Sequence, residues 1–420
     1  MIVRGGTVVT ATGAEIADIA IEDGRITAVA QDLEAGADEI DATGLHVFPG
    51  GIDSHVHFNE PGRTEWEDIA HGSAALAAGG YTAFIDMPLN NLPVTTTVDA
   101  FDLKVEAMRR SSRVDFGIWG GLVPDNLDQL DGLVERGVMG FKAFMCPSGI
   151  DEFPACDERT LREGMNRIAE LHSILLVHAE DPFMLREQAG PAARDFLQSR
   201  PAEAELAGIT AAIAMARDAG CRLHIVHVST ARGADLIADA QRHGVDVSGE
   251  TCPHYLLYTA DDVERLGGIG KCAPPFRDAS DHKRLWRMPM VVSDHSPSTL
   301  HLKLGDDFRK TWGGISGCQT TRQLMLARGP LELAEVAAVT STNIAERFGV
   351  TGKGDIAPGF DADLWIVDLD HESVLRGEDL LYKNPFSAHE GQKLRGRTVR
   401  TLVRGQDPGR GQLIRPAGRS

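Results

Sequence analysis

The feature that most constrains this fold is an alternation of short apolar runs with helical stretches along the middle of the chain. Eight runs have the length and composition of buried strands. They lie at about Leu45–His57, Tyr81–Met87, Val114–Gly120, Met139–Met145, Ile174–Ala179, Arg222–Val228, Val245–Glu250 and Met290–Asp294. Eight βα units in roughly 300 residues fit a closed parallel barrel, so we predict an α/β fold of the (β/α)8 TIM-barrel type.

Both ends of the chain show a different pattern, in which short β-strands alternate with glycine-rich turns. Strands are predicted at Met1–Thr10, Ile16–Glu22 and Ile26–Ala30, and again at Ala362–Asp368 and Val399–Arg404. A chain of 420 residues is too long for one ordinary core. We therefore predict a small β-sandwich domain formed by residues 1–50 and 354–420, and a barrel domain of residues 51–353.

Composition excludes several classes of partner. The formal net charge of −19 argues against nucleic acid and anionic membranes, which both require a basic surface. No apolar run is long enough for a membrane span, and the N-terminus lacks the pattern of a signal peptide. The six cysteines are too sparse and irregular for a disulfide framework. We therefore expect reduced thiols and a cytoplasmic protein that acts on a small molecule.

Five of the eight predicted strands carry a side chain of the type that binds metals. His55 and His57 close the first strand, Lys142 lies in the fourth, His178 closes the fifth, His227 closes the sixth and Asp294 closes the eighth. Residues two apart on a strand share a face, so the two histidines of the first strand form a claw. The carboxyl ends of barrel strands meet at one mouth, and imidazole and carboxylate suit zinc and similar ions.

Each of these residues also has an ordinary structural explanation. A lysine near a strand end can extend its amine to solvent, and a single histidine is often a hydrogen-bonded core residue. His224 is predicted to be such a core histidine, because it lies three residues before His227 and on the opposite strand face. A single shared metal site nevertheless explains the whole set better than separate structural roles do.

The chain resembles the cyclic amidohydrolases, which include dihydroorotases, hydantoinases (dihydropyrimidinases) and allantoinases. The resemblance covers nearly the whole chain and includes the tail segment Gly354–Leu364. It implies two divalent metal ions, with zinc expected first and cobalt, manganese or iron as alternatives. In the implied site, His55, His57 and Asp294 hold one metal, His178 and His227 hold the other, and N-carboxylated Lys142 bridges them. The resemblance also implies a homotetramer.

The implied chemistry is hydrolysis of a cyclic amide. Two cations that share one water lower the pKa of that water towards neutrality and provide hydroxide. Asp294 then acts as general base and acid, taking the proton and returning it to the leaving nitrogen. Carboxylation of Lys142 turns a buried cation into a bridging anion, which removes the cost of burying an unpaired ammonium.

The segments around the mouth resemble the allantoinase branch most. These segments are Phe58–Glu67, Ser148–Pro154, Glu250–Tyr255, Lys271–Pro275, Ser293–Pro297 and Trp312–Ser316. Dihydroorotases carry an arginine where this chain has Asn59 and an asparagine where it has Leu89. An arginine would bind a substrate carboxylate in bidentate fashion, so its loss favours a neutral ring. Hydantoinases carry a tyrosine shortly after the bridging lysine, and residues 144–149 contain none.

We therefore predict hydrolysis of the hydantoin ring of allantoin to allantoate, a step of purine breakdown. Predicted substrate contacts are Asn59, Ser148 and Ser316, together with backbone groups near Ala273 and Gly314. For the three polar side chains, loop capping is the alternative role. Glu67 and His254 are candidates for either outer support of the site or packing.

Three alternatives remain open: a hydantoinase or dihydropyrimidinase, a dihydroorotase, and a non-catalytic scaffold of the same fold. Scaffold relatives lose some of the ligands, whereas all six positions are filled here. The chain also departs from its relatives in two short connections, at residues 286–290 and 325–331. A barrel helix needs about 10–12 residues to cover its strands. Either two outer helices are trimmed or the sequence omits residues there.

Overall fold

The computed structural model describes residues 1–417. The strands are β1 Ile2–Thr10, β2 Gly13–Glu22, β3 Arg25–Ala30, β4 Glu39–Asp41, β5 His46–Pro49, β6 Gly51–Val56, β7 Tyr81–Asp86, β8 Asp115–Ile118, β9 Gly120–Gly121, β10 Phe141–Phe144, β11 Ile174–His178, β12 Arg222–Ile225, β13 Val247–Gly249, β14 Leu364–Val374 and β15 Lys393–Leu402. The α-helices are α1 Ile69–Ala78, α2 Val98–Ser111, α3 Leu130–Arg136, α4 Glu158–Glu170, α5 Ala193–Ser199, α6 Ala202–Ala219, α7 Ala231–Arg242, α8 Pro253–Leu257, α9 Ala260–Leu266, α10 Ala279–Leu285, α11 Thr321–Arg328, α12 Leu333–Ala337 and α13 Asn343–Phe348.

The middle of the chain forms the predicted parallel barrel. Strands β6, β7 and β8 pair in one group, and β9 to β13 pair in a second. Only Trp119 separates β8 from β9, so these two short strands act as one barrel strand. The ring closes where Val291 pairs with Thr251 and His295 pairs with Val56. Strands β6, β7, β8, β10 and β11 are buried throughout, which explains why they read as continuous apolar runs.

Several barrel helices begin at a side-chain cap that the sequence supplies. Asp68, Thr97, Asp157 and Thr230 each accept a hydrogen bond from the backbone N–H three residues later, at the start of α1, α2, α4 and α7. Such caps satisfy one of the unpaired amides at a helix start and contribute about 1 kcal/mol each. These helices therefore start just after the loops that carry the candidate site.

Two predicted strands differ in the structure. The run Leu45–His57 is divided at Gly50: β5 belongs to the small sheet and β6 to the barrel. A side chain at Gly50 is excluded, because its Cβ would lie 2.1 Å from Thr82 Oγ1. The run Met290–Asp294 makes one isolated bridge, at Val291, instead of a full ladder. The positive φ of 45° at Asp294 turns the chain out of the extended conformation there.

Strands from both chain ends share one sheet, in the order β15–β14–β5–β1–β2–β3, with β4 also paired to β1. This sheet has its own apolar core, which includes Val8, Ile19, Val47 and Leu364. After β15 the chain leaves the sheet, and Leu413 forms a bridge with Phe116 of the barrel. The domain limits at residues 50 and 354 stay a prediction.

The helix before the eighth barrel segment is short. Helix α10 ends at Leu285 after about two turns, and residues 286–290 lead directly into the closing segment. All six cysteines are free and buried. Within residues 1–417, no helix combines the length and the apolar character that crossing a bilayer requires.

Candidate metal centre and active site

The claw formed by His55 and His57 lies at the end of β6 and faces the eighth barrel segment, Met290–Asp294. His55 is near the end of β6, and His57 is the residue that directly follows this strand. The distance from Asp294 Oδ1 to His55 Nε2 is 3.1 Å, and the distance from the same oxygen to His57 Nε2 is 3.5 Å. Ligand atoms of these three buried residues all lie within 4.8 Å of one another, so they could hold one metal ion.

A second pair of histidines lies beside the first group. His178 ends β11 and His227 follows β12, and His178 Nδ1 lies 3.0 Å from His227 Nε2. The rings of His55 and His227 have centroids 5.5 Å apart, so the two groups adjoin. The sequence-based prediction that these residues meet at one mouth of the barrel agrees with this geometry.

Lys142 lies on β10, lines the same cavity as both groups and is almost completely buried. Burial lowers the pKa of its ammonium to about 7, although the charges of Asp294 and Glu250 oppose that shift. Among the described residues, none accepts a hydrogen bond from its Nζ. A buried amine without an acceptor is costly, whereas a carboxylated lysine would present oxygens to metal ions. The orphaned amine therefore fits a bridging role.

Charge and backbone conformation also mark this site. Burial alone would raise the pKa of Asp294, but the charge of His55 and the hydrogen bond with His57 hold it well below its usual range. His227 and Asp294 both have left-handed backbone conformations, with φ of 39° and 45°. Such conformations in residues other than glycine cost on the order of 1–3 kcal/mol and cluster at functional sites.

All six predicted metal-site residues line one cavity of about 390 Å³ at the mouth of the barrel. The predicted substrate contacts divide into two groups. Ser148, Ala273 and Gly314 line this cavity, whereas Asn59 and Ser316 lie outside its lining. Asn59 is completely buried, and its side-chain amide has no hydrogen-bond partner among residues 1–417.

Two predicted contacts have a structural role in their loops. Ser148 Oγ donates to the carbonyl of Phe153 over 2.6 Å, which is the loop-capping alternative. The carbonyl of Ser316 accepts a hydrogen bond from Ser387 Oγ over 2.5 Å. Because Ser148 still lines the cavity, capping and substrate contact are compatible for that residue.

Sequence reasoning missed the carboxylates behind the histidines. Glu250 Oε1 lies 2.6 Å from His55 Nδ1, and Glu180 Oε2 lies 2.7 Å from His178 Nε2. Both carboxylates follow barrel strands, so the strand-end rule that identified the histidines could also have found them. Carboxylates in this position fix the tautomer and orientation of metal-binding histidines.

The outer carboxylates are themselves compensated. Burial would raise the pKa of Glu180, but Arg200 and His178 hold it below its usual range. His224 Nε2 lies 3.1 Å from Glu250 Oε2, and His224 Nδ1 lies 2.7 Å from Ser248 Oγ. His224 is therefore a hydrogen-bonded core histidine, as predicted.

The two candidate outer supports have different surroundings. Glu67 accepts a hydrogen bond from the backbone N–H of Lys383, and its Oε2 lies 3.5 Å from His295 Nε2, next to Asp294. Burial raises the pKa of Glu67 to about 8. His254 is buried against Tyr255 and lies within a group that also contains Cys252 and Asp294.

Comparison with known proteins agrees with this geometry. The chain is 50% identical to an allantoinase of Rubrobacter xylanophilus and 48% identical to one of Solibacter usitatus, and the alignments cover 100% and 99% of this chain and 96% of each relative. Among solved structures, an L-hydantoinase (dihydropyrimidinase) from Arthrobacter aurescens has a TM-score of 0.94 at 32% identity, with 99% of both chains covered.

The profile of the amidohydrolase family matches residues 46–406, a range that includes the entire barrel. Together with the group formed by His55, His57 and Asp294, this match indicates a site for divalent metal. On this match and on the full-length identity to its relatives, the chain belongs to the amidohydrolase family.

Proposed function

We propose that this protein hydrolyses the hydantoin-ring amide of allantoin to give allantoate, in purine breakdown. The observation that carries the proposal is the ring of six ligand-type side chains that line one cavity. Identity of 50% with an allantoinase over the full length of this chain supports the choice of ring. Scaffold relatives of this fold lose some of these ligands, whereas all six positions are filled here.

We propose a pair of zinc ions as the cofactor, with Lys142 N-carboxylated between them. His55, His57 and Asp294 would hold one ion, and His178 and His227 the other. When bound, such ions lower the pKa of water and polarise the carbonyl of the substrate. The donor set fits because it combines imidazole and carboxylate ligands, which zinc accepts.

The chain's own residues supply proton transfer and binding. The carboxylate of Asp294 faces the cavity beside His55 and His57, where it can take a proton from the attacking water. The same carboxylate can return that proton to the leaving nitrogen of the opened ring. The backbone at Ala273 and Gly314 and the hydroxyl of Ser148 lie where the polar groups of the ring can hydrogen-bond.

Most cationic side chains of the cavity already have partners, which favours a neutral ring over dihydroorotate. Besides Lys142, four cationic side chains line it: Arg200, Lys271, Arg309 and Lys310. Three of them are already engaged, because Arg200 pairs with Glu180, Lys271 donates to the carbonyls of Phe308 and Thr311, and Arg309 pairs with Asp307. Leu89 is apolar at the place where dihydroorotases carry an asparagine. A substrate carboxylate would therefore have to compete for Arg200, Lys271 and Arg309.

The second candidate is a hydantoinase activity, which the similarity of fold to the L-hydantoinase favours. The deciding experiment measures ring opening of allantoin, hydantoin, dihydrouracil and dihydroorotate by one preparation whose metal content is known. Dominant turnover of allantoin with about two metals per chain supports the proposal. Turnover of only hydantoin or dihydrouracil would replace it with the second candidate.

We also propose a homotetramer, as the resemblance to cyclic amidohydrolases implies, and a cytoplasmic location, which the free, buried cysteines favour. Light scattering coupled to size exclusion measures the assembled mass directly. A monomer at working concentration would contradict the tetramer.

A further inference from the structure

The metal-site histidine on β11 is connected to a cationic residue of the cavity wall through one buried carboxylate. Glu180 is completely buried, and its Oε2 lies 2.7 Å from His178 Nε2. Arg200 Nε donates to Glu180 Oε1 over 3.2 Å, and Arg200 Nη2 donates to Glu180 Oε2. The guanidinium therefore binds both oxygens of the carboxylate, and this bidentate arrangement is the strong and directional form of an arginine–carboxylate pair.

We propose that Arg200 is a positioning residue for the metal centre, because it acts through Glu180 to fix which ring nitrogen of His178 faces the cavity. This inference rests on the proposed metal centre. An ionised carboxylate can only accept hydrogen bonds, so Glu180 requires the proton of His178 to sit on Nε2. The other nitrogen, Nδ1, then keeps its lone pair on the side where it faces His227.

Arg200 is itself held rigidly by its backbone. Its carbonyl accepts a hydrogen bond from Arg277 Nη1 over 2.7 Å, and Arg277 Nε donates to Ser229 Oγ over 3.0 Å. The carbonyl of the preceding Ser199 accepts from the backbone N–H of Arg186. A guanidinium with an anchored backbone loses less freedom when it binds, so it can orient its partner effectively.

The other outer carboxylate has a different environment. Glu250 contacts His55, His224 and Ser54, with no arginine among these three partners. His178 is thus the histidine whose outer carboxylate is clamped by a guanidinium. Loss of Arg200 should consequently weaken one of the two proposed metal positions more than the other.

The test compares metal retention in Arg200→Met, Glu180→Gln and the double variant. Each protein is loaded with cobalt, whose absorption spectrum reports ligand geometry, and is then titrated with a chelator. We expect Arg200→Met to release one metal per chain about 10–100-fold more readily, with the second metal retained. In the Glu180→Gln background, adding Arg200→Met should cause no further loss, because the two residues act in series.

Arg194→Met is the matched control, since Arg194 lies on the preceding helix α5 and pairs with Glu264 on the surface. It should retain both metals like the wild type. If Arg200→Met does not fold, Glu180→Gln and Arg200→Lys carry the test, with partial retention expected for the lysine variant. Wild-type metal retention in Glu180→Gln overturns the inference.

Two further outcomes separate the inference from its premise. An Arg200→Met variant that keeps both metals but has a raised KM would show that Arg200 contacts substrate directly, which also overturns the inference. A wild-type protein that binds no cobalt would instead refute the proposed metal centre.

Discussion

A buried ion pair behind the histidine claw allows a quantitative test of how the site is held. Lys104 on α2 and Asp86 at the end of β7 are both completely buried, and Lys104 Nζ lies 2.7 Å from Asp86 Oδ2. The same amine donates to the carbonyl of Phe58 over 2.5 Å and to that of Glu60 over 2.7 Å. Asp86 Oδ1 accepts the backbone N–H of Phe58, the residue after His57.

Lys104→Met should therefore destabilise the fold strongly. The substitution keeps an unbranched side chain suited to a helix, but it leaves Asp86 as an uncompensated buried charge. Removal of one partner of a buried pair costs about 3–5 kcal/mol in the free energy of unfolding. The two carbonyls that lose their donor belong to the loop after the claw, so metal binding should weaken as well.

The assay is urea unfolding followed by tryptophan fluorescence, with stability taken from the midpoint and the slope. Lys283→Met is the control, because Lys283 lies exposed on helix α10. The double variant Lys104→Met/Asp86→Asn should be less destabilised than Lys104→Met alone, since it has no buried charge. Burial raises the pKa of Asp86, so the penalty of Lys104→Met should also become smaller as the pH is lowered and the carboxylate takes up a proton.

A Lys104→Met protein within about 0.5 kcal/mol of the wild type, like an ordinary surface substitution, would refute this reasoning. Equal destabilisation of the single and double variants would show that the cost comes from packing and not from the charge of Asp86.

Three further predictions concern the site itself. Asp294→Asn should lower turnover by at least about 100-fold while much of the metal stays bound, and substantial remaining activity would reject its proton-transfer role. Lys142→Ala should lose metal and activity together, with partial rescue by short carboxylic acids; normal metal content in that variant would contradict the bridge. Glu67→Gln should alter the dependence of stability on pH. The pKa of Glu67 is raised to about 8, so the folded protein keeps this proton after the unfolded chain has lost it. Between about pH 5 and 8 the wild type should lose stability relative to Glu67→Gln, by at most about 1.4 kcal/mol per pH unit, and parallel curves from urea unfolding would contradict this.

Most of the barrel was predictable because its strands are buried on both faces. Such strands are short, apolar and separated by amphipathic helices, and these properties are visible in one sequence. The division of Leu45–His57 was not visible, because an apolar run does not show which of two sheets each half joins. The loss of ladder pairing at Met290–Asp294 depends on a left-handed residue, and an aspartate in this conformation has no sequence signature.

The site residues, too, could be predicted from the sequence only in part. Residues at strand ends could be found because the barrel brings all such ends together. Arg200 could not be found in this way, since it lies between helices α5 and α6 and reaches Glu180 only in the folded protein. Asn59 and Ser316 were predicted from loop motifs, and the path of a loop is not fixed by periodicity.

Closure of the barrel has a consequence for how the protein is made. The contact that joins the first and last barrel segments, from the backbone N–H of Ser293 to Asp53, spans 240 residues. The claw at His55 and His57 leaves the ribosome early, whereas Asp294 follows roughly 10–50 s later at ordinary rates of synthesis. During that interval the nascent chain carries two histidines without their carboxylate partner. His55, His57 and Asp294 therefore come together only in chains whose barrel has closed, and this group is absent from unfinished ones.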